Sequence, residues 1–200
     1  MTSLLTKLTL IGALIWAPFS FAINIGDQAP NFSLISHQNK KISLRDFENK
    51  IIVLEWFNKG CPFVKKFYES TMMQKWQKDL TEQGIIWLTI SSSAKGKQGH
   101  ETIGQVNETR SRWKINSTHN LLDHKGEVGQ LYGAKTTPHI FVIDQKMQIA
   151  YQGAIDSILS ADAEDIPKAV NYLKDATNAL LKKNEVKIKK TKPYGCSIKY

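Results

Sequence analysis

The sequence predicts an α/β fold in which a central mixed β-sheet carries helices on both faces. Two short, nearly continuous apolar runs, 51–57 and 85–90, have the pattern of strands that are buried on both faces. A segment with helical spacing of its apolar residues separates them, and a third apolar run, 139–144, precedes a hairpin. Alternation of strands and helices in this order is typical of α/β domains.

The remaining elements follow from local patterns along the chain. The long segments with apolar residues at i, i+3 and i+4 are predicted to be helices, and residues flanked by turn signals are predicted to be strands. In chain order we predict a helix over 62–80, a weaker helix over 101–113, short elements at 121–123 and 128–132, a strand at 146–153 and a long helix over 161–181.

Composition and charge limit the classes of function. The 200 residues are 42% hydrophobic and 22% charged, which suits one domain with short appendages. The net charge of +9 comes largely from seven lysines in the last nineteen residues, and no basic run is interleaved with aromatic residues, so we predict no nucleic-acid binding.

Two cysteines are too few for a disulfide-rich scaffold or a four-cysteine zinc site. The five histidines lack metal-ligand spacing, and no metal or cofactor is predicted.

Residues 1–22 have the three parts of a secretory signal peptide. Lys7 precedes an apolar stretch of about ten residues, and small residues follow at Ser20 and Ala22. The apolar stretch is shorter than the ~20 residues that span a bilayer, so we expect no stable membrane span. An uncleaved anchor is the alternative. We therefore expect an exported protein, periplasmic in a Gram-negative bacterium and otherwise secreted, with a domain over 23–181 and a basic, cysteine-containing extended tail over 182–200.

Cys61 lies where the first buried strand gives way to a helix. Pro62 suits the first helical position, because its missing N–H would have no partner there. A thiol at this place faces unpaired backbone N–H groups and the positive end of the helix dipole, and both favour the reactive thiolate. Lys59, Lys65 and Lys66 are expected to add positive charge nearby. The alternative is that Cys61 is a small buried apolar residue.

The segment 52–64 (IVLEWFNKGCPFV) resembles the active-site strand and turn of the thioredoxin superfamily. In that superfamily a buried acid lies six residues before the first cysteine, which corresponds to Glu55. Thr137-Pro138 resembles the superfamily's second landmark, which implies a cis proline that packs beside the reactive sulfur and helps to position the substrate. Val64 stands where thioredoxins carry their second cysteine, so no Cys-x-x-Cys disulfide can form.

The closer resemblance is to the peroxiredoxin-like branch, the alkyl hydroperoxide reductase and thiol-specific antioxidant relatives. The segment 26–32 (GDQAPNF) is similar to that branch's opening segment, and 132–134 and 153–156 are similar to parts of exported redoxin-domain proteins. The resemblance implies a thioredoxin-like three-layer sandwich, a peroxide or disulfide substrate and an external thiol reductant. Leu54 and Asn58 replace the proline and threonine that typical peroxiredoxins place before their cysteine; the Asn58 amide can still hydrogen-bond a peroxide oxygen.

Two further side chains complete the predicted site. Burial among apolar neighbours should raise the pKa of Glu55, which could then shuttle a proton to and from Cys61. Glu55 could instead face a solvated edge or pair with a lysine. Cys196, in the flexible sequence PYGCS, is a candidate resolving thiol for Cys61. The alternative is a free or intermolecular thiol in a disordered tail.

Three functions stay open on the sequence. The leading one is a peroxiredoxin-like, thiol-dependent oxidoreductase in which Cys61 attacks a peroxide and is resolved by Cys196 or an external thiol. The second is a thiol–disulfide exchange protein in which Cys61 forms a mixed disulfide. The third is a redox-inert module that binds a partner through its sheet or its basic tail.

Overall fold

The computed structural model describes residues 23–200, and the predicted signal peptide 1–22 lies outside them. This part of the chain forms nine strands, five α-helices and two short 3-10 helices. In chain order they are β1 (Ser33–Ser36), β2 (Lys41–Ser43), a 3-10 helix (Leu44–Phe47), β3 (Ile52–Trp56), α1 (Pro62–Glu69), α2 (Met72–Thr81), β4 (Ile86–Ser91), α3 (Ile103–Trp113), β5 (His119–Leu122), α4 (Glu127–Leu131), β6 (Thr136–Thr137), β7 (His139–Ile143), β8 (Ile149–Gly153), a second 3-10 helix (Ala163–Lys168), α5 (Tyr172–Leu181) and β9 (Cys196–Ser197).

Seven strands form one mixed sheet in the order β2-β1-β5-β4-β3-β7-β8. The β3–β4 and β4–β5 pairs are parallel, and the other pairs are antiparallel. Strand β3 is therefore central, and its side chains alternate between two apolar clusters. Val53 packs in the cluster with α1, α2 and α5, whereas Leu54 and Trp56 pack in the cluster with α4 on the opposite face. The predicted α/β architecture, with helices on both faces of a mixed sheet, is confirmed.

Two predicted helices are each divided in two. The segment 62–80 ends α1 at Glu69 and restarts at Met72, because Thr71 adopts a left-handed backbone with φ of 62°. The segment 161–181 contains a 3-10 helix and then α5. The first ends because Ala169 has an extended backbone, with φ of −86° and ψ of 148°, and the Asn171 side chain caps α5 by accepting from the Lys174 amide.

The segment 182–200 packs against the domain, unlike the predicted extended tail. Val186 and Tyr194 are buried in it, and the Gln152 amide donates to the carbonyl of Lys189 at 3.0 Å. Further on, β9 pairs antiparallel with β6, and the chain ends where the Tyr200 hydroxyl donates to the carbonyl of Ala134 at 2.8 Å. The tail is therefore a strap that runs along the edge of the sheet and across the end that carries Cys61.

Residues 23–200 contain neither a membrane-spanning helix nor a cluster of metal ligands. No helix in this range is long and apolar enough to cross a bilayer. Within the same residues, no three His, Cys, Asp or Glu side chains are grouped so that they could hold a metal ion.

Candidate active site

Cys61 is the N-cap residue of α1, and its side chain is fully buried. Its backbone is extended, Pro62 follows at the first helical position, and the Lys65 amide donates to the Cys61 carbonyl at 2.9 Å. The Cys61 thiol donates to the carbonyl of Thr137, with 3.0 Å between Sγ and the oxygen. The predicted junction of strand and helix is thus present, and it holds the sulfur against the segment before Pro138.

Asn58 shapes the turn that carries Cys61. Its backbone carbonyl accepts from the Cys61 amide at 3.0 Å, and its side-chain Oδ1 accepts from the Gly60 amide at 2.8 Å. Its Nδ2 donates to the carbonyl of Gln98 at 3.3 Å. Both ends of this buried amide are therefore engaged with loop backbone in this structure, which is an arrangement that positions the turn.

The Thr137–Pro138 peptide bond is cis, as predicted. Strand β6 ends at Thr137, whose carbonyl receives the Cys61 thiol and whose Oγ1 donates to the carbonyl of Cys196 at 3.5 Å. Thr137 therefore contacts both cysteines. It is therefore one of the residues that join the N-terminus of α1 to the tail.

Cys196 lies next to Cys61, although 134 residues separate them in the sequence. In the β6–β9 pair, Cys196 is opposite Thr137, whose carbonyl accepts from the Cys61 thiol, so both cysteines contact the same residue. Burial, and after it the proximity of Cys61, raise the pKa of Cys196 from 9.0 to about 11. Both thiols are free in this structure. The raised pKa keeps a proton on Cys196 at neutral pH.

Glu55 is completely buried on β3 and lies in a hydrogen-bonded network. Its carboxylate accepts from the Tyr68 hydroxyl at 2.9 Å, from Trp87 Nε1 at 2.8 Å and from Gln77 Nε2 at 3.4 Å. Burial raises the pKa of Glu55 from 4.5 to about 7, and the hydrogen bonds from Trp87, Tyr68 and Gln77 partly oppose that rise. These partners come from α1, α2 and β4, and Tyr68 is on the helix that Cys61 begins.

Two of the three lysines near Cys61 are paired with carboxylates. Lys59 Nζ lies 2.9 Å from Glu101 Oε1, and Lys66 Nζ lies 3.2 Å from Asp156 Oδ2. Their charges are therefore compensated locally, and the positive field expected from them at Cys61 is weaker than the sequence suggests.

Several residues around the cysteines were not assigned to the site from the sequence. They are the Glu55 partners Tyr68, Gln77 and Trp87, and the tail contacts Asp156 and Tyr194. Asp156 and Tyr194 lie in the short motifs GAID and PYGCS, and these motifs are the only features of the sequence that could have pointed to them. Their partners lie on other elements, so local spacing could not reveal the contacts.

Known structures share this fold. A hypothetical protein of Sinorhizobium meliloti superposes with a TM-score of 0.75 at 24% identity, covering 90% of this chain and 97% of its own. A peroxidoxin of Mycobacterium tuberculosis reaches a TM-score of 0.57 at 18% identity, over 80% and 97% of the two chains. A thiol:disulfide interchange protein of a Bacteroides species reaches 0.53 at 19% identity, over 72% and 87%. At such low identities, the superpositions show a shared thioredoxin-like fold and nothing further.

Sequence comparison supplies the family. No curated protein sequence matches this chain. The model of the AhpC/TSA family matches residues 25–152, a range that contains Glu55, Cys61 and the cis proline, and more than half of the chain. The chain therefore belongs to the AhpC/TSA family, as its cysteine-bearing turn and cis proline indicate.

Proposed function

We propose that this protein is an exported, thiol-dependent oxidoreductase with peroxiredoxin-like antioxidant activity, in which Cys61 is the nucleophile and Cys196 resolves it. The observation that carries the proposal is the pairing of β9 with β6, which places Cys196 opposite Thr137, the residue whose carbonyl accepts from the Cys61 thiol. The raised pKa of Cys196 supports this division of roles, because the thiol that keeps its proton is the poorer nucleophile.

The reaction has two steps. The Cys61 thiolate attacks one oxygen of a hydroperoxide, the O–O bond breaks, and Cys61 becomes a sulfenic acid while the alkoxide or hydroxide leaves and takes up a proton. Cys196 then attacks the sulfenic sulfur, a disulfide forms, and water leaves with the Cys196 proton. An external thiol reductant returns both cysteines to the reduced state by thiol–disulfide exchange.

The surrounding residues have supporting roles in this proposal. Glu55, with its pKa near neutrality, is the group that we assign to take up or release a proton during these steps, although its hydrogen bonds go to Tyr68, Gln77 and Trp87 and not to Cys61. Asn58 holds the turn, and Thr137 with the cis Pro138 positions both sulfurs. No cofactor is needed, because the electrons come from the thiols.

Thiol–disulfide exchange is the second candidate, and β6 is the reason. Its backbone pairs antiparallel with a short extended segment whose cysteine lies beside Cys61. An extended cysteine-bearing peptide of another protein could pair with the same edge by β-augmentation once the tail has moved. Disulfide substrates would then compete with peroxides for Cys61.

The proposed compartment rests on residues 1–22. Export through a cleaved signal peptide would place the protein in an oxidising compartment, the periplasm of a Gram-negative bacterium or the medium, where reversible thiol chemistry needs a dedicated reductant. Fractionation of cells that express the full chain, with N-terminal sequencing of the product, tests this part.

Mass spectrometry of the reduced protein after one equivalent of hydrogen peroxide tests the chemistry. We expect the wild-type chain to lose two hydrogens and to yield a Cys61–Cys196 peptide pair. The Cys196→Ser variant should gain oxygen on Cys61, and Cys61→Ser should react no faster than a model thiol. Wild-type Cys61 recovered as sulfinic acid with Cys196 free would contradict resolution by the tail. Faster oxidation by glutathione disulfide than by peroxide would favour exchange.

A further inference from the structure

A buried charge cluster lies outside the reaction described above. The Lys66 side chain has no exposed surface and that of Asp156 is 2% exposed, with Lys66 Nζ 3.2 Å from Asp156 Oδ2. Lys66 also donates to the carbonyl of Ile158 at 3.4 Å. The hydroxyl of the buried Tyr194 donates to the second carboxylate oxygen, Asp156 Oδ1. The carboxylate is thus held by a cation on one side and a phenol on the other.

The three side chains come from three parts of the fold. Lys66 is on α1, the helix that Cys61 begins; Asp156 follows β8; and Tyr194 is on the tail, two residues before Cys196. A buried ion pair is costly to desolvate, and removing one partner leaves an uncompensated buried charge. Moving any one of these three side chains away from the others is therefore costly in free energy. Tyr194 is therefore tied to the helix of the nucleophile through Asp156 and Lys66.

Contacts with Phe63 and Lys66 fix the orientation of the Tyr194 ring. The ring meets Phe63 edge to face, with 5.8 Å between centroids, and Lys66 Nζ lies 5.9 Å from its centre. Phe63 is two residues after Cys61. Next to Tyr194, Gly195 passes so close to Thr137 that a Cβ atom would lie 2.1 Å from the Thr137 carbonyl oxygen. The chain from Tyr194 to Cys196 is thus held on both sides.

We propose that Lys66, Asp156 and Tyr194 form a latch that holds the tail closed and thereby positions Cys196 against Cys61. The inference builds on the proposed function and adds positioning residues to it. With the latch closed, Cys61 has no exposed surface and its neighbour in the tail is the resolving thiol. With the latch open, Cys61 is accessible to external reagents, and Cys196 loses its high local concentration.

The first test measures the latch in the reduced protein, without any reaction at Cys61. Tyr194→Phe removes only the hydroxyl and keeps the ring against Phe63, and Tyr172→Phe on α5 is the matched control. Native-state hydrogen exchange is followed at the Ile198 amide, which bonds the Lys135 carbonyl at 3.1 Å, and at the Phe57 amide in the sheet. We expect Ile198 to exchange about tenfold faster in Tyr194→Phe, as for loss of one charge-assisted hydrogen bond, with Phe57 unchanged.

The second test measures the dithiol. In a glutathione redox buffer, Tyr194→Phe should lower the equilibrium constant for formation of the Cys61–Cys196 disulfide by about tenfold. Asp156→Asn should lower the same constant. Tyr172→Phe should match the wild-type protein. A merely structural tyrosine would lower stability without changing this constant.

The outcomes separate the latch from the proposed function. If the wild-type protein forms no Cys61–Cys196 disulfide, the proposed function fails, and the exchange rates alone still decide on the latch. Equal Ile198 exchange in the two Tyr→Phe variants overturns the latch. So does acceleration of Ile198 and Phe57 by the same factor, because the hydroxyl would then stabilise the whole domain and not the tail.

Discussion

At the scale of single residues, the buried carboxylate of Glu55 links the protonation of the site to the stability of the fold. Its pKa is raised from 4.5 to about 7, so the folded protein binds this proton more tightly than the unfolded chain does. The resulting stabilisation is fully present below pH 4.5 and is lost as the pH rises to about 7. A difference of this size corresponds to roughly 3 kcal/mol.

Replacing Glu55 by Gln tests this linkage. We expect the free energy of unfolding of the wild-type protein, relative to Glu55→Gln, to fall by roughly 3 kcal/mol between pH 4.5 and pH 8, because the variant has no proton to lose. Urea unfolding at each pH measures the difference. Buried His37, whose pKa is lowered from 6.5 to about 4, titrates in the opposite sense, but it is common to both proteins and cancels. A pH-independent difference would show that Glu55 is ionised throughout.

The same variant bears on the proposed proton role. If Glu55 supplies or accepts the proton of Cys61, the pH profile of peroxide consumption should lose its inflection near 7 in Glu55→Gln. The identity of Glu55 was accessible from the sequence, since an acid in a continuous apolar run is conspicuous. Its partners Tyr68, Gln77 and Trp87 were not, because each reaches the carboxylate from a different element.

At the scale of elements, the strands that were predicted well are those whose burial leaves a clear mark on the sequence. Strands β3, β4 and β7 are buried on both faces and read as apolar runs. The division between α1 and α2 escaped prediction because apolar spacing continues across Thr71, while the backbone there is left-handed. Strands β6 and β9, of two residues each, have no periodic signal at all.

The pairing of β9 with β6 depends on Gly195. Its φ is 136°, and a Cβ atom would lie 2.1 Å from the Thr137 carbonyl oxygen, so Gly195→Ala should push β9 away from β6. We expect the Ile198 amide to exchange at least about tenfold faster, which corresponds to about 1.4 kcal/mol of opening free energy. Disulfide formation should slow in parallel.

Gly84→Ala is the matched control for that substitution. Gly84 also has a positive φ, 84°, but its Cβ would meet no atom within 4 Å, so the variant carries the backbone cost without the clash. It should lower global stability by about 1 kcal/mol and leave the exchange of Ile198 relative to the sheet unchanged. Equal effects of the two alanines on Ile198 would mean that β9 does not need the close approach at Gly195.

At the scale of the whole molecule, the tail is the part that the sequence left undetermined. Its lysines and its Pro and Gly residues have the composition of a solvated segment, yet Val186 and Tyr194 are buried and the last residue reaches Ala134. The contacts that fix the tail join residues far apart in the sequence, from 37 positions for Thr191 with Ala154 to 105 positions for Lys199 with Ala94. Because such contacts depend on residues that only the fold brings together, no local pattern encodes them.

Closure of the tail gives a prediction for the stability of the entire chain, and it rests on the proposed disulfide. A Cys61–Cys196 bond would close a loop of roughly 135 residues, and in the chain-entropy model it would stabilise the folded state by about 5 kcal/mol. The reduced protein already holds both cysteines against Thr137, so the bond should need little rearrangement of the folded state. We therefore expect the oxidised protein to unfold at a clearly higher concentration of guanidinium than the reduced protein.

The double variant Cys61→Ser/Cys196→Ser provides the control for this comparison, because oxidant can form no bond in it and its unfolding midpoint should not move. The single variant Cys196→Ser also lacks the second thiol, so treatment with peroxide should not raise its unfolding midpoint above that of the reduced variant. If oxidised and reduced wild-type protein unfolded at the same midpoint while peptide mapping showed the disulfide, the bond would have to strain the folded state by about as much as it confines the unfolded chain. In that case the closed tail seen in the reduced protein would not be the geometry in which the disulfide forms.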